Sequence, residues 1–222
     1  MTRVKLLKID DFSPEEYKSF REFISTEKCL RIDRFKFVED YRRSLLADVL
    51  SRKMIGDVTG IGAKELDIRI GEYGKPYVFN KADVYFNVSH SGEYVACIVS
   101  DGPCGIDIER MDEVDLSVAR RFFTGNEYCC ITNCPKEQMA DRFYEIWTAK
   151  EAYIKLEGRG LGIKLDSFEV TIRDGRYVID IGGEKEYRVT VKDIDKQYKL
   201  SFICMDDNTE HFEIGRGDMY EI

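Results

Sequence analysis

The stretch Gly105-Ile106-Asp107-Ile108-Glu109 lies near the middle of a chain of 222 residues and indicates where its two parts meet. Isoleucines and carboxylates alternate along it. This pattern predicts a β-strand, because successive side chains of a strand point to opposite faces. We therefore expect Ile106 and Ile108 in the core, with Asp107 and Glu109 together on the other face.

The two carboxylates of this strand allow two interpretations. They would lie about 7 Å apart on one strand face and would repel each other unless a cation lay between them. Hard oxygen ligands suit magnesium or manganese, especially where a substrate phosphate completes the coordination shell. A solvated strand edge would carry the same pair, so this strand alone leaves both interpretations open.

Outward from this strand, each half of the chain places its helices before most of its strands. Upstream, the sequence predicts a strand at 4–9, helices at 14–24 and 38–54, and strands at 77–79, 84–88, 94–99 and 104–108. Downstream, it predicts helices at 116–123 and 137–156, the second being the longest, and strands at 168–172, 177–181, 187–191 and 200–204. We expect an α+β fold of two similar halves, 1–105 and 106–222, packed tightly because no proline- or serine-rich linker separates them.

The overall composition limits the class of protein. A formal net charge of −8 argues against non-specific binding to nucleic acid or to an anionic membrane. No apolar run approaches the about 20 residues of a membrane span, and the start of the chain does not resemble a signal peptide. Seven cysteines, an odd number without a CxxC pair, indicate reduced thiols rather than disulfides or a zinc site. We therefore expect a cytoplasmic protein.

The predicted helix around Trp147 carries three chemically distinct side chains on one face. Trp147, Glu151 and Lys155 are spaced four residues apart, so they line up along the helix. Glu151 would supply a third carboxylate to a metal site, and Lys155 would stabilise a developing phosphate charge. The alternative is an ordinary Glu-Lys pair on a surface helix, which is common and weak.

Two further segments suit an anionic ligand. Asn87-Val88-Ser89-His90-Ser91-Gly92 leaves a strand for a tight turn, where the hydroxyl of Ser89, the ring of His90 and turn amides could donate to phosphate. A serine hydrolase would use similar residue types, but no GxSxG nucleophile elbow is present.

Basic residues cluster early in an otherwise acidic chain, either on a solvated face or around an anion pocket. They are Lys28, Arg31, Arg34, Lys36, Arg42 and Arg43.

These segments together resemble the 4'-phosphopantetheinyl transferases of the surfactin-synthetase-activating type. Four motifs of that family occur in order along the chain, and the similarity covers most of it. They are Gly74-Lys75-Pro76, Asn87-Val88-Ser89-His90-Ser91, Gly105-Ile106-Asp107-Ile108-Glu109 and the Trp-x-x-Lys-Glu-Ala-x-x-Lys helix from Trp147 to Lys155. Each motif is weak alone, but four in order are a strong signal.

The resemblance implies a fold and a set of site residues. The fold would be a monomeric pseudo-dimer of two α+β halves, with coenzyme A bound in the cleft between them. Asp107, Glu109 and Glu151 match the family's magnesium ligands. The remaining matches are to coenzyme A contacts: Lys155 at the pyrophosphate, Ser89 and His90 at phosphate, Lys28, Arg31, Arg43 and Ser44 at the nucleotide phosphates, and Lys75 near the adenine.

The resemblance also implies a reaction. A serine of an apo acyl or peptidyl carrier protein would attack the β-phosphorus of coenzyme A, with release of 3',5'-ADP. Glu151, or a metal-bound water next to it, would act as base, and Lys155 would assist the leaving group. The helix at 116–123 matches the carrier-binding region. Two alternatives stay open: a non-catalytic coenzyme A or nucleotide binding protein, and a magnesium-dependent nucleotide hydrolase.

Overall fold

The computed structural model describes residues 1–183, 185–205, 209–217 and 219. Its helices are α1 (Pro14–Phe20), α2 (Thr26–Ile32), α3 (Val38–Thr59), α4 (Leu116–Phe122), α5 (Gly125–Thr132) and α6 (Met139–Glu157). Its strands in the first part of the chain are β1 (Thr2–Lys8), β2 (Ile68–Ile70), β3 (Pro76–Val78), β4 (Tyr85–Ser91), β5 (Tyr94–Ser100) and β6 (Cys104–Arg110). The later strands are β7 (Glu169–Arg173), β8 (Arg176–Asp180), β9 (Glu186–Ile194), β10 (Tyr198–Cys204) and β11 (Thr209–Ile214).

The strands form two main sheets and one small hairpin. The first sheet has the order β11-β1-β5-β4, the second has the order β6-β10-β9-β8-β7, and β2 pairs with β3. Strands β1 and β11 run parallel, whereas the other paired strands run antiparallel. The predicted α+β class is therefore confirmed. No helix among the described residues is long and apolar enough to cross a membrane.

The two sheets pack face to face, with a helix on each outer side. Helix α3 shares one apolar core with the first sheet, and α6 shares another with the second. A third core lies between the sheets and includes Val4 and Ile98 from the first and Leu200 from the second. Ile106 and Ile108 are completely buried in this central core, as the alternation along their strand predicts.

Gly105 fixes the distance between α6 and β6. A Cβ atom at this position would lie 2.0 Å from the carbonyl oxygen of Ala152 and 2.5 Å from the backbone nitrogen of Leu156. Only glycine permits the helix to approach the strand this closely. Because Gly105, Asp107 and Glu109 alternate with the isoleucines, the acidic face of β6 is the face turned toward α6.

Polar side chains of β4 join the two sheets along β6. The backbone N–H of Ile106 donates to Oδ1 of Asn87 at 3.0 Å, and the N–H of Arg110 donates to Oγ of Ser91 at 3.1 Å. The first bond satisfies a buried backbone donor of β6, whereas the second is exposed. The motif from Asn87 to Ser91 thus holds the two halves together.

Three differences from the sequence prediction concern helices and their lengths. Helix α3 continues to Thr59 and, at 22 residues, is longer than α6 with 19, so the expected order of lengths was wrong. Ile55 is completely buried and carries the helix past its predicted end. Helix α2 was not predicted, although Ser25 is its N-cap and accepts from the N–H of Lys28 at 3.1 Å.

The described residues after β10 pack against the first half of the chain. Strand β11 pairs with β1, and Met219 is buried in the core that α3 shares with the first sheet. The sequence suggested no strand here. The division into 1–105 and 106–222 stays a prediction; residue 105 itself lies within β6, which belongs to the second sheet.

Candidate active site

A cavity of about 450 Å³ opens between β4, β6, α3 and α6. It brings together most of the residues that the sequence suggested, from both halves of the chain. The side chains that line it are Lys28, Ser44, Ala47, Val88, Ser89, His90, Asp107, Glu109, Trp147, Glu151 and Lys155. We call it the acidic cavity. Strand β6 and helix α6, which carry the acidic residues, meet at this cavity.

Asp107 is the central carboxylate of the acidic cavity. Its side chain is buried, and Oδ1 accepts from Nζ of Lys155 at 2.6 Å and from Oγ of Ser89 at 2.8 Å. Nζ of Lys155 also donates to Oγ of Ser89 at 2.8 Å. The second oxygen, Oδ2, is buried and has no hydrogen-bond partner within the described residues. A buried carboxylate oxygen without a partner is costly, so it favours a further positive ligand.

Glu109 and Glu151 both carry raised pKa values. Burial is the main cause, and the nearby negative charge of Asp107 raises both pKa values further. Oγ of Ser91 donates to Glu109 at 2.8 Å and partly opposes this shift. Three carboxylates that repel one another in a half-closed cavity favour a cation between them.

The structure does not present a finished metal-ligand set. Among the described residues, no three histidine, cysteine, aspartate or glutamate side chains are gathered closely enough to hold an ion. In this arrangement the ammonium of Lys155 supplies the positive charge at Asp107. The donor chemistry and the unpartnered Oδ2 of Asp107 fit a hard divalent cation that Asp107, Glu109 and Glu151 would hold.

His90 lies at the mouth of the acidic cavity among cations. Partial loss of water around its ring lowers its pKa, and the charges of Arg43, Lys155 and Lys28 lower it further. The lowered pKa favours the neutral form of the His90 ring. An anion bound beside these four residues would offset the repulsion and favour the protonated ring.

A second cavity of about 480 Å³ adjoins the first. The two share Lys28, Ala47 and Val88, so one elongated ligand can occupy both. We call the second one the nucleotide-sized cavity. It is lined by Ser25, Glu27, Lys28, Arg31, Ala47, Asp48, Ser51, Arg52, Ile68, Ile70, Gly74, Pro76, Phe86 and Val88. Apolar walls with a basic rim suit a flat base that carries phosphates.

The sequence interpretation missed Asp48 and Arg52 in this cavity. Nε of Arg52 donates to Asp48 at 2.7 Å, and the same carboxylate lies 3.8 Å from Nζ of Lys28. Burial lowers the pKa of Lys28, while Asp48 raises it. The spacing of four residues between Asp48 and Arg52 was the available signal, since it places both on one face of α3.

Two expected ligand contacts have other partners in the structure. Nη1 of Arg43 donates to the carbonyl oxygen of Gly92 at 2.6 Å. Nζ of Lys75 donates to the carbonyl oxygens of Cys104 and Leu156, both at 3.0 Å, whereas only the neighbours Gly74 and Pro76 line the nucleotide-sized cavity. Contacts of Arg43 and Lys75 with a ligand therefore stay predictions.

Comparison with known proteins identifies the family to which the chain belongs. Residues 103–203 match the family model described as the 4'-phosphopantetheinyl transferase superfamily. Residues 11–101 match the one described as 4'-phosphopantetheinyl transferase, N-terminal. The chain belongs to the 4'-phosphopantetheinyl transferase family, as its motifs predicted.

Curated relatives match over most of the chain. The 4'-phosphopantetheinyl transferase Sfp of Bacillus subtilis (strain 168) is 38% identical over 194 residues, 86% of each chain. The 4'-phosphopantetheinyl transferase gsp of Aneurinibacillus migulanus is 40% identical over 163 residues, 73% of this chain and 68% of its own. The psf-1 enzyme of Bacillus pumilus is 33% identical over 204 residues, 90% and 87% of the two chains.

Proposed function

We propose that this protein transfers the 4'-phosphopantetheine arm of coenzyme A to a serine hydroxyl of an apo acyl or peptidyl carrier protein, releasing 3',5'-ADP. The observation that carries the proposal is the junction of the two cavities. A nucleotide held in the nucleotide-sized cavity would place its pyrophosphate in the acidic cavity, beside Ser89, His90 and Lys155. Membership of the transferase family supports the same reaction.

A magnesium ion, or manganese, is the proposed metal. Asp107, Glu109 and Glu151 would hold it, because they are the three carboxylates of the acidic cavity and Asp107 has an unpartnered oxygen. When bound, such an ion neutralises negative charge on a pyrophosphate and fixes its orientation.

The protein's own residues account for the remaining chemistry. The serine oxygen forms a bond to the β-phosphorus while the bond from that phosphorus to the oxygen of 3',5'-ADP breaks. Glu151 accepts the serine proton, because its carboxylate lines the acidic cavity together with Lys155, where the serine oxygen must approach the phosphorus. Lys155 donates a hydrogen bond to the phosphate oxygen on which negative charge grows. The thiol of coenzyme A takes no part, so no cysteine is required.

The carrier would contact α4. Arg120, Arg121 and Phe122 are exposed there, and the guanidinium of Arg121 lies 5.0 Å from the ring centre of Phe122. Phe123 packs against Trp147, which lines the acidic cavity. This continuity places the exposed end of α4 close to the site where the carrier serine must arrive. Cross-linking a bound carrier to the protein would test this contact, and cross-links that form only outside α4 would contradict it.

We also propose a cytoplasmic monomer. One face of each sheet is already buried against the other sheet within a single chain, so neither face is left for a partner subunit to cover. The seven cysteines of the sequence are all free thiols in the structure, as expected in a reducing compartment. Light scattering of the purified protein checks the oligomeric state, and a dimeric mass would contradict the proposal.

Mass spectrometry of apo-carriers tests the function against its two rivals. The protein, coenzyme A and magnesium should add one phosphopantetheine to the carrier serine and release an equal amount of 3',5'-ADP. A nucleotide hydrolase would release 3',5'-ADP equally well without a carrier. A binding protein would give neither product, and either of these results would overturn the proposal.

The 3'-phosphate of coenzyme A is expected to bind Lys28 and Arg31, which line the nucleotide-sized cavity. The Lys28→Ala/Arg31→Ala variant should lose about tenfold or more of the preference for coenzyme A over dephospho-coenzyme A, because a hydrogen bond to a charged group contributes about 1.5–3 kcal/mol. Calorimetric binding of both ligands measures this preference.

The matched control for this pair is Arg34→Ala/Lys36→Ala. Both residues are exposed on the same segment and neither lines the cavity, so the preference should not change. If the Lys28/Arg31 variant weakens both ligands by the same factor, these side chains do not recognise the 3'-phosphate.

A further inference from the structure

Lys75 connects the nucleotide-sized cavity to the other half of the molecule. Its chain neighbours Gly74 and Pro76 line that cavity, but its own side chain leads away from it. The ammonium reaches the carbonyl oxygens of Cys104, at the start of β6, and Leu156, in the last turn of α6. One side chain thus joins the wall of the cavity to both elements that carry the acidic residues.

Each of these contacts is structurally specific. The carbonyl of Leu156 is among the last four of α6, which have no partner within the helix. A positive charge at this end of a helix is also favourable for its dipole. The half-buried ammonium in turn needs hydrogen bonds, because burial without them is costly.

Gly158 shows how closely the Lys75 side chain is packed. Gly158 caps α6 in the left-handed region with φ of 70°, and a Cβ atom there would lie 3.0 Å from Cδ of Lys75. The methylene stem therefore lies directly against the end of α6. On the other side of that turn, Gly105 allows the helix to touch β6. The position of the helix end is set from both directions.

We infer that Lys75 is a positioning residue: its side chain is a strut that holds α6, and with it Glu151 and Lys155, at a fixed distance from the bound nucleotide. This inference rests on the proposed function. The ligand spans both cavities, so the distance between them decides whether its β-phosphorus lies beside the catalytic groups. A misplacement of about 1 Å can cost about 100-fold in rate.

The strut should control the rate of transfer and not the affinity for nucleotide. Lys75→Met keeps the apolar stem but removes the ammonium, whereas Lys75→Arg keeps the charge and the donors. The first should lower the single-turnover transfer rate at saturating coenzyme A by about 10- to 100-fold. Binding of 3',5'-ADP, which carries the adenosine but lacks the β-phosphate and the pantetheine arm, should be unchanged by calorimetry. Lys75→Arg should recover most of the rate.

Lys81→Met is the matched control. Lys81 follows the same hairpin and pairs only with exposed Asp83 among the contacts described, so both measurements should equal those of the wild type. If Lys75→Met weakens 3',5'-ADP binding as much as it slows transfer, Lys75 contacts the nucleotide and the strut is wrong. An unchanged rate would also overturn it. Should Lys75→Met fail to fold, Lys75→Gln, which removes the charge but retains an amide NH2 group, takes its place in both measurements.

A readout that does not depend on activity separates this inference from the proposed function. Amide hydrogen exchange in residues 150–157 should quicken in Lys75→Met and stay unchanged in Lys81→Met. If the wild type transfers nothing to any apo-carrier, the proposed function is wrong, yet the exchange result still decides whether Lys75 fixes α6. Unchanged exchange in Lys75→Met would refute the strut whatever the activity.

Discussion

Asp107→Ala should abolish transfer while leaving the fold intact. Asp107 pairs with Lys155, accepts from Ser89 and carries the oxygen proposed to face the metal. The substitution removes a proposed metal ligand and frees the ammonium of Lys155 from its fixed position. We expect the transfer rate to fall by about 1000-fold or more, because the loss of a single preorganised transition-state contact already costs about 100- to 1000-fold. Single-turnover transfer to an apo-carrier measures the effect, and urea unfolding checks the fold.

Asp112→Ala is the control for this change. Asp112 follows β6 closely, but it is exposed and pairs only with Arg110 among the contacts described. Its replacement should leave transfer unchanged. Undiminished transfer by Asp107→Ala would show that this carboxylate is dispensable. Full activity of the wild type in excess chelator would exclude the proposed metal even if Asp107 proved essential.

Gly105→Ala should strongly lower the free energy of unfolding. The added methyl group would lie 2.0 Å from the carbonyl oxygen of Ala152, so α6 would have to move away from β6. Overpacking of this kind typically costs about 1–3 kcal/mol and occasionally more. Because backbone atoms on both sides cannot rotate away, we expect a loss of about 3 kcal/mol or more in the free energy of unfolding. Urea denaturation measures it.

Gly125→Ala is the matched control. A Cβ atom at Gly125 would meet nothing within 4 Å, and its backbone does not require glycine. Its stability should therefore equal or slightly exceed that of the wild type. If Gly105→Ala unfolds at the same urea concentration as Gly125→Ala, the close approach of helix and strand is not needed for the fold.

Features that depend on a few neighbouring residues could be predicted from the sequence. The alternation in β6 placed Ile106 and Ile108 in the core, and the turn dipeptide Asp174-Gly175 separates β7 from β8. Both residues of that turn have positive φ, of 50° and 73°, which Asp-Gly favours. The four motifs identified the family because their order and residue types are visible in one sequence.

Features that depend on distant contacts could not be predicted in the same way. Nothing near His211 indicates that its strand pairs with β1, since the paired residues are more than 200 positions apart in the chain. Helix α2 has only seven residues, too short for a periodic pattern to emerge. The side chain of Lys75 was expected near the adenine with its turn, but its direction is set by carbonyls of the other half.

The pairing of β11 with β1 also bears on how the chain is made. Domains usually fold in the order in which the ribosome releases them, with the N-terminal one first. Here all five strands of the second sheet are synthesised before β11. One edge of β1 therefore stays open until residues 209–214 emerge, and an open strand edge is a template for pairing with other chains. The N-terminal half of the chain is synthesised first, but its sheet is completed last, when β11 pairs with β1.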